Sequence, residues 1–133
     1  MCGRVPLRPR RLLAVLECRA SDDAVLARAV ELACSSGGYL TLVALVPRPF
    51  PLGSPGPYCV PRVSAEELRE HAAATLARAV SRVPAGVPLL TALEEGRMAD
   101  VVRRRVETAA HDAVVVRRRF LFAGTLPVPV VAC

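Results

Sequence analysis

The polar residues best placed for chemistry follow two short apolar runs. Glu17 comes directly after the run at 12–16, and an arginine triplet at 117–119 comes directly after the run at 113–116. Guanidinium groups bind phosphates through paired hydrogen bonds, so the triplet could hold the phosphates of a ligand. The triplet could instead form an ion pair with Glu17, worth about 0–1 kcal/mol at an exposed position. The sequence favours the ion pair, because arginine side chains do not easily replace a close backbone cradle for phosphates.

Catalytic groups are not clustered along the chain. Of the two histidines, His71 lies within a helical pattern and His111 lies at a helix end. No serine, cysteine or carboxylate accompanies either histidine in the arrangement of a catalytic triad. The sequence contains no H-E-x-x-H, Walker or G-x-G-x-x-G motif. We therefore expect a protein that is not an enzyme, with neither a catalytic site nor a metal site.

The cysteines are odd in number and form no C-x-x-C pair. They are Cys2, Cys18, Cys34, Cys59 and Cys133. This pattern is typical of free thiols that act as small apolar residues. A redox-responsive thiol, at Cys18 or Cys133, is the alternative. Cys18 follows a predicted strand and precedes a predicted helix N-terminus, which can lower a thiol pKa.

Composition limits the partners that the chain is expected to have. The 133 residues suit a single domain, and aromatic residues make up only 4%. The net charge is +6, but no basic face is interleaved with stacking aromatics, so nucleic-acid binding is unlikely on sequence grounds. No apolar run approaches the roughly 20 residues of a membrane span. The run at 12–16 is too short for a signal peptide, so we expect a cytoplasmic protein.

Apolar runs and helical patterns alternate along the chain and would position these residues. The predicted strands lie near residues 12–16, 39–46, 87–93, 113–116 and 128–132, and the predicted helices begin near Ser21, Ser64 and Met98. Six prolines between residues 47 and 63 predict a long loop. Residues 1–10 are expected to form a flexible basic arm, and residues 11–133 a single domain.

This alternation predicts an α/β fold. We expect a doubly wound, mostly parallel five-stranded sheet in the order 3-2-1-4-5 with three main helices. The linker between the last two strands has no helical pattern, so the fourth crossover helix is expected to be missing or rudimentary. Ligands of such sheets bind outside the carboxyl ends of the strands at the switch point. Glu17 and Arg117 should both lie there.

The motifs in this order resemble those of the universal stress protein family. The resemblance rests on residues 11–17 (RLLAVLE), 33–46, 93–102 (LEEGRMADVV), 110–116 (AHDAVVV) and 127–131 (PVPVV). Together they cover nearly the whole chain beyond its first ten residues. The resemblance implies a stress-response or interaction protein, and the family contains both nucleotide binders and non-binders.

The resemblance also implies where a nucleotide would bind. Binders have a G-x-x-G loop after the fourth strand and, further on, a Gly-Ser or Gly-Thr pair that opens a helix. Here Arg117 stands at the first glycine position. Gly124 and Thr125 are similar to the final pair, but a Leu-Pro pair follows at once and prevents a useful helix. Glu17 replaces the family's first-strand aspartate.

Two interpretations of this site follow. In the preferred one, nucleotide binding is lost or weakened and the protein is a non-enzymatic accessory module without a cofactor. In the alternative, the protein binds an adenine nucleotide, with ATP as the possible cofactor. Glu17 would then contact a ribose hydroxyl, Val46 would line the base pocket, and the arginines at 117–119 would hold the phosphates near Gly124 and Thr125.

The fifth predicted strand bears on oligomerisation. If Val128, Val130 and Ala132 bond to strand four, then Pro127 and Pro129 remove donors from the outer edge. The resemblance implies a homodimer or hetero-oligomer formed through this edge. The two prolines would shorten such pairing.

Overall fold

The computed structural model describes residues 10–47, 64–117 and 128–133. Eight elements follow one another in these ranges. They are β1 (Arg11–Leu16), α1 (Asp22–Ser36), β2 (Tyr39–Val46), α2 (Ala65–Arg82), β3 (Leu89–Glu95), α3 (Met98–Thr108), β4 (Ala113–Val116) and β5 (Val130–Ala132). The predicted arm lies almost wholly outside the described residues, as do the predicted Pro-rich loop beyond Pro47 and the crossover between β4 and β5.

The five strands form one sheet in the order β3-β2-β1-β4-β5, and every neighbouring pair is parallel. Helices α1 and α2 pack on one face of this sheet, and α3 packs on the other. The predicted fold class is therefore confirmed in strand order, parallel direction and its three main helices. The predicted weakness of the fourth crossover helix concerns residues outside the described ranges.

The central strands are buried on both faces because they are apolar without interruption. Leu12 and Leu42 contact the α1 side of the sheet, whereas Leu13 and Val114 contact the α3 side, and all four are fully buried. Parallel sheets covered on both faces require such runs. Strand β3 is the most exposed strand, as an edge position allows.

Helices α1 and α2 begin in different ways. Ser64 caps α2 as its sequence predicted, since its hydroxyl accepts the N–H of Glu67 at 3.1 Å. Ser21 precedes α1 but makes no capping hydrogen bond, and its buried hydroxyl has no partner among the described residues. Ser21 thus stands at the N-cap position of α1, but its hydroxyl does not cap the helix, and Asp22 organises this turn instead.

Three predicted boundaries were displaced. Strand β3 begins at Leu89, after Pro88, whose carbonyl accepts the N–H of Leu40 at 2.9 Å. Proline therefore precedes the strand instead of interrupting it. The third helix, whose pattern predicts an end at Ala110 with Ala109 facing inward, ends at Thr108, and Ala109 is exposed. Strand β5 begins two residues later than predicted, at Val130.

The backbone orientation of β5 is the reverse of the prediction. The carbonyl of Pro129 accepts the N–H of Val114, and the N–H of Cys133 donates to Val116, each at 3.0 Å. Alternation along a strand then places Val131 on the same inner side. The N–H groups of Val130 and Ala132 consequently point to the outer edge. Pro129 faces β4, so it removes no N–H donor from the outer edge of β5.

Asp112 ties the start of β1 to the start of β4. Its Oδ2 atom accepts the N–H groups of Arg10 at 2.8 Å and Arg11 at 3.1 Å, and its own N–H donates to the Arg11 carbonyl at 2.8 Å. A carboxylate that accepts two backbone donors forms strong, charge-assisted hydrogen bonds. Asp112 thereby fixes the register that places Glu17 and Arg117 at the same end of the sheet.

Candidate functional site

Glu17 and Arg117 meet at the switch point between β1 and β4. The two strands are neighbours, and each residue follows the last position of its strand. An Arg117 guanidinium nitrogen lies 3.9 Å from Glu17 Oε2, and the two side chains are 25% and 21% exposed. This distance describes a loose ion pair in a half-buried position, without the short paired hydrogen bonds of a bidentate contact.

Asp22 is the first residue of α1, and its side chain binds the loop that precedes the helix. One carboxylate oxygen accepts the N–H of Glu17 at 2.8 Å, and the other accepts the N–H of Arg19 at 3.1 Å. The side chain is 9% exposed, which makes it one of two buried polar residues in the described part of the chain. The sequence analysis did not identify Asp22 as a site residue. A signal for its role is its place three residues after Arg19, because aspartate side chains often accept the N–H groups of nearby loop residues.

The remaining predicted site residues are only partly placed. Val46 is buried at the end of β2, on the opposite side of β1 from Arg117. The predicted phosphate contacts Gly124 and Thr125 lie outside the described residues, as do the second and third arginines of the triplet. The structure therefore brings Glu17 and Arg117 together and leaves the rest of the predicted site as a prediction.

Cys18 adopts a left-handed backbone conformation with φ 61°. Its thiol donates to the Leu45 carbonyl at 3.4 Å. Burial raises the pKa of the Cys18 thiol, and the charge of Asp22 adds to the increase, whereas Thr75 and Arg78 act in the opposite direction. The expected lowering of this pKa by the helix N-terminus was wrong, because desolvation is the larger effect.

Alkylation of Cys18 should be slow. We expect iodoacetamide at pH 8 to label Cys18 about tenfold more slowly than the exposed Cys34, because only the thiolate reacts. The two cysteines fall in different tryptic peptides, so mass spectrometry of a time course measures both rates in one sample. Labelling of Cys18 as fast as Cys34 would contradict the burial argument and favour a redox role.

A cavity of about 430 Å³ lies beside Cys18, between the β1–α1 loop and α2. Four of its lining residues, His71, Thr75, Arg78 and Arg82, recur at spacings of four, three and four along α2. Such spacing places side chains on one helix face. Sequence analysis did not identify this cavity, because it depends on how α2 packs beside the start of α1.

The two histidines lie at different places. His71 lines the cavity, whereas His111 precedes β4 and so lies at the opposite end of the sheet from Arg117. Burial lowers the pKa of His111, and its Nδ1 lies 3.1 Å from the Ala109 carbonyl oxygen. Among the described residues no group of His, Cys, Asp or Glu side chains could hold a metal ion. Nor does any helix in those ranges have the length and apolar character to cross a membrane.

Several solved structures that this chain resembles are universal stress proteins. A universal stress protein family member from Burkholderia pseudomallei superposes with a TM-score of 0.71 at 20% identity, covering 93% of this chain and 96% of that one. One from Archaeoglobus fulgidus has a TM-score of 0.61 at 21% identity, with coverage of 91% and 90%. A third, from Arabidopsis thaliana with AMP bound, has a TM-score of 0.60 at 15% identity, with coverage of 93% and 90%.

The sequence itself is distant from known families. No family model matches it, and no curated protein matches it significantly. The likeness in structure spans nearly all of both chains in each comparison, and the strand order, parallel direction and helix placement agree with the fold that the motifs predicted. The chain therefore has the fold of the universal stress proteins.

Proposed function

We propose that this chain is a non-enzymatic accessory protein of the universal stress protein type, in which nucleotide binding is lost or weakened. It would act in the cytoplasm as a stress-response or interaction module. The observation that carries the proposal is the internal pairing at the switch point, where Glu17 and Arg117 face each other. A ligand would have to displace this pair before using either group.

The β1–α1 loop supports the same conclusion. Backbone N–H groups of loops and of helix starts are the usual donors to a phosphate. Here the N–H groups of Glu17 and Arg19 already donate to Asp22. These two loop donors are thus engaged within the protein.

Arg117 removes a second requirement for phosphate binding. A glycine at this position would let a phosphate approach the backbone closely. Arg117 has a side chain instead, which is 25% exposed and lies beside Glu17. The Arg117 guanidinium could bind a phosphate only by leaving the Glu17 carboxylate. The attraction to the phosphate would then be offset by the loss of the ion pair with Glu17.

Calorimetric titration with ATP, ADP, AMP and cyclic AMP tests the proposal. We expect no saturation of the wild-type protein up to about 1 mM nucleotide, which corresponds to binding weaker than about 4 kcal/mol. Micromolar binding that is lost in Arg117→Ala would overturn the proposal. Arg69→Ala is the matched control, since Arg69 is an exposed arginine on α2 that pairs with Glu95, away from the switch point.

The second candidate is an adenine-nucleotide-binding protein, favoured by the similar fold of the Arabidopsis protein with AMP bound. In this candidate Glu17 holds a ribose hydroxyl, Val46 lines the base pocket, and the arginines at 117–119 hold phosphates near Gly124 and Thr125. The same titration separates the candidates, and loss of binding in both Glu17→Ala and Arg117→Ala would support the second one.

The outer edge of β5 is the proposed contact with a second copy of the chain or with a partner protein. Val130 and Ala132 present their N–H groups away from β4. An exposed strand edge with intact donors can pair with another strand. Pro129 faces β4 and so removes no donor from this edge, whereas Pro127 lies outside the described residues.

A further inference from the structure

The cavity between the β1–α1 loop and α2 has an apolar floor. Leu16, Leu26 and Ala79 line it and are buried. Its volume of about 430 Å³ lies within the range of roughly 300–1,000 Å³ that is usual for small-molecule pockets. Glu17 and Arg117 are not among its described lining residues, so the cavity is separate from the switch-point pair.

The rim of the cavity is cationic. Arg19, Arg78 and Arg82 all line it. Arg82 is neutralised by Asp23, whose Oδ1 lies 2.5 Å from the guanidinium. Arg78 donates to the Thr75 hydroxyl at 3.2 Å, and neither Arg78 nor Arg19 forms an ion pair with a carboxylate in the described ranges. Two arginines of the cavity lining therefore have no carboxylate within ion-pair distance among the described residues.

Two carboxylates at this rim offset part of that positive charge. Asp22 accepts the backbone N–H groups of Glu17 and Arg19 and keeps its negative charge, and Asp23 pairs with Arg82. The three arginines of the described lining still outnumber its two aspartates, so an anion is favoured over a cation. Guanidinium groups supply donors that suit a planar or tetrahedral oxyanion.

We propose that this cavity binds an amphipathic organic anion. Its apolar body would lie against Leu16, Leu26 and Ala79, and its carboxylate, sulfonate or phosphate group would be held by Arg19 and Arg78. Apolar contact with a few converging polar groups is the usual composition of a ligand site. Neither Glu17 nor Arg117 belongs to the described lining of the cavity, so binding here can be tested separately from nucleotide binding at the switch point.

Two fluorescent probes with the same apolar body test the proposal. Anilinonaphthalene sulfonate carries a sulfonate, and N-phenyl-1-naphthylamine lacks it. We expect the sulfonate probe to bind the wild-type protein in the micromolar range and more tightly than the uncharged probe. Arg78→Ala should weaken the sulfonate probe about tenfold and change the uncharged probe less than about twofold, since only a charge-assisted contact is removed.

Two further variants complete the experiment. Arg69→Ala, which removes the same charge from the same helix outside the cavity, should leave both probes unchanged. Ala20→Phe should exclude both probes, because Ala20 is exposed at the rim and a phenyl ring there would fill the opening. An equal loss of the sulfonate probe in Arg69→Ala and Arg78→Ala would overturn the proposal, as would failure of the probe to saturate or continued binding in Ala20→Phe.

Discussion

Replacing Asp22 by alanine is expected to lower the free energy of unfolding by about 3 kcal/mol. The substitution removes the acceptors of two backbone N–H groups, those of Glu17 and Arg19, which lie in a partly buried loop. Hydrogen bonds to a charged acceptor contribute about 1.5–3 kcal/mol each, and buried donors left without partners add a desolvation cost. Asp22 also places a negative charge at the α1 N-terminus, worth a further few tenths of a kcal/mol. Urea denaturation followed by circular dichroism measures the change.

The neighbouring residue provides the control. Asp23 carries the same charge in the same helical turn, but its side chain is 73% exposed and pairs with Arg82 at the surface. Asp23→Ala should therefore cost less than about 1 kcal/mol. Asp22→Asn should give an intermediate loss, because the amide keeps one acceptor oxygen. If Asp22→Ala and Asp23→Ala were equally destabilising, the loop would not depend on the Asp22 hydrogen bonds.

Strand order was predictable because the apolar runs differ in length and continuity. The runs that form β1, β2 and β4 have no polar interruption apart from Thr41, which is typical of parallel strands covered on both faces. The run that forms β3 contains polar residues and follows a proline, which indicates an edge. Once β1 and β4 are neighbours, the adjacency of Glu17 and Arg117 follows from their positions in sequence.

The loop chemistry was not predictable in the same way. Asp22 reaches the N–H groups of Glu17 and Arg19 because the chain turns at Cys18, which adopts a left-handed conformation. Sequence patterns assign that conformation mainly to glycine, so a cysteine there gives no signal. The turn also buries the thiol against Leu45, which reverses the expected direction of its pKa shift.

Two other features depend on distances between elements. The cavity exists because Arg78 and Arg82 of α2 lie beside the start of α1, and local sequence does not encode how two helices pack.

In β5, the orientation of the hydrogen-bonding groups depends on which residue first pairs with β4. Because the period of a strand is two, an error of one residue reverses every group, which is why the predicted inner and outer sides were exchanged.

The observed orientation of β5 predicts that two adjacent proline substitutions differ in how much they destabilise the protein. Val131→Pro should lower the free energy of unfolding by about 2 kcal/mol or more. The N–H of Val131 points toward β4, between the observed contacts of Pro129 and Cys133, and proline removes this donor. Val131 is also buried in the core on the α1 side of the sheet, so a proline ring in its place would pack poorly there. Ala132→Pro should cost less than about 1 kcal/mol, because its N–H faces away from the sheet.

Light scattering at several protein concentrations then tests the proposed edge contact with the same variants. If two chains pair through β5, Ala132→Pro should abolish the dimer while the monomer keeps its stability, because it removes an outer donor that pairing requires. The combination of retained folding and lost assembly is the informative result, since a general loss of structure would affect both measurements. A dimer that persists in Ala132→Pro would place the interface elsewhere. Equal destabilisation by the two prolines would contradict the assigned orientation of β5.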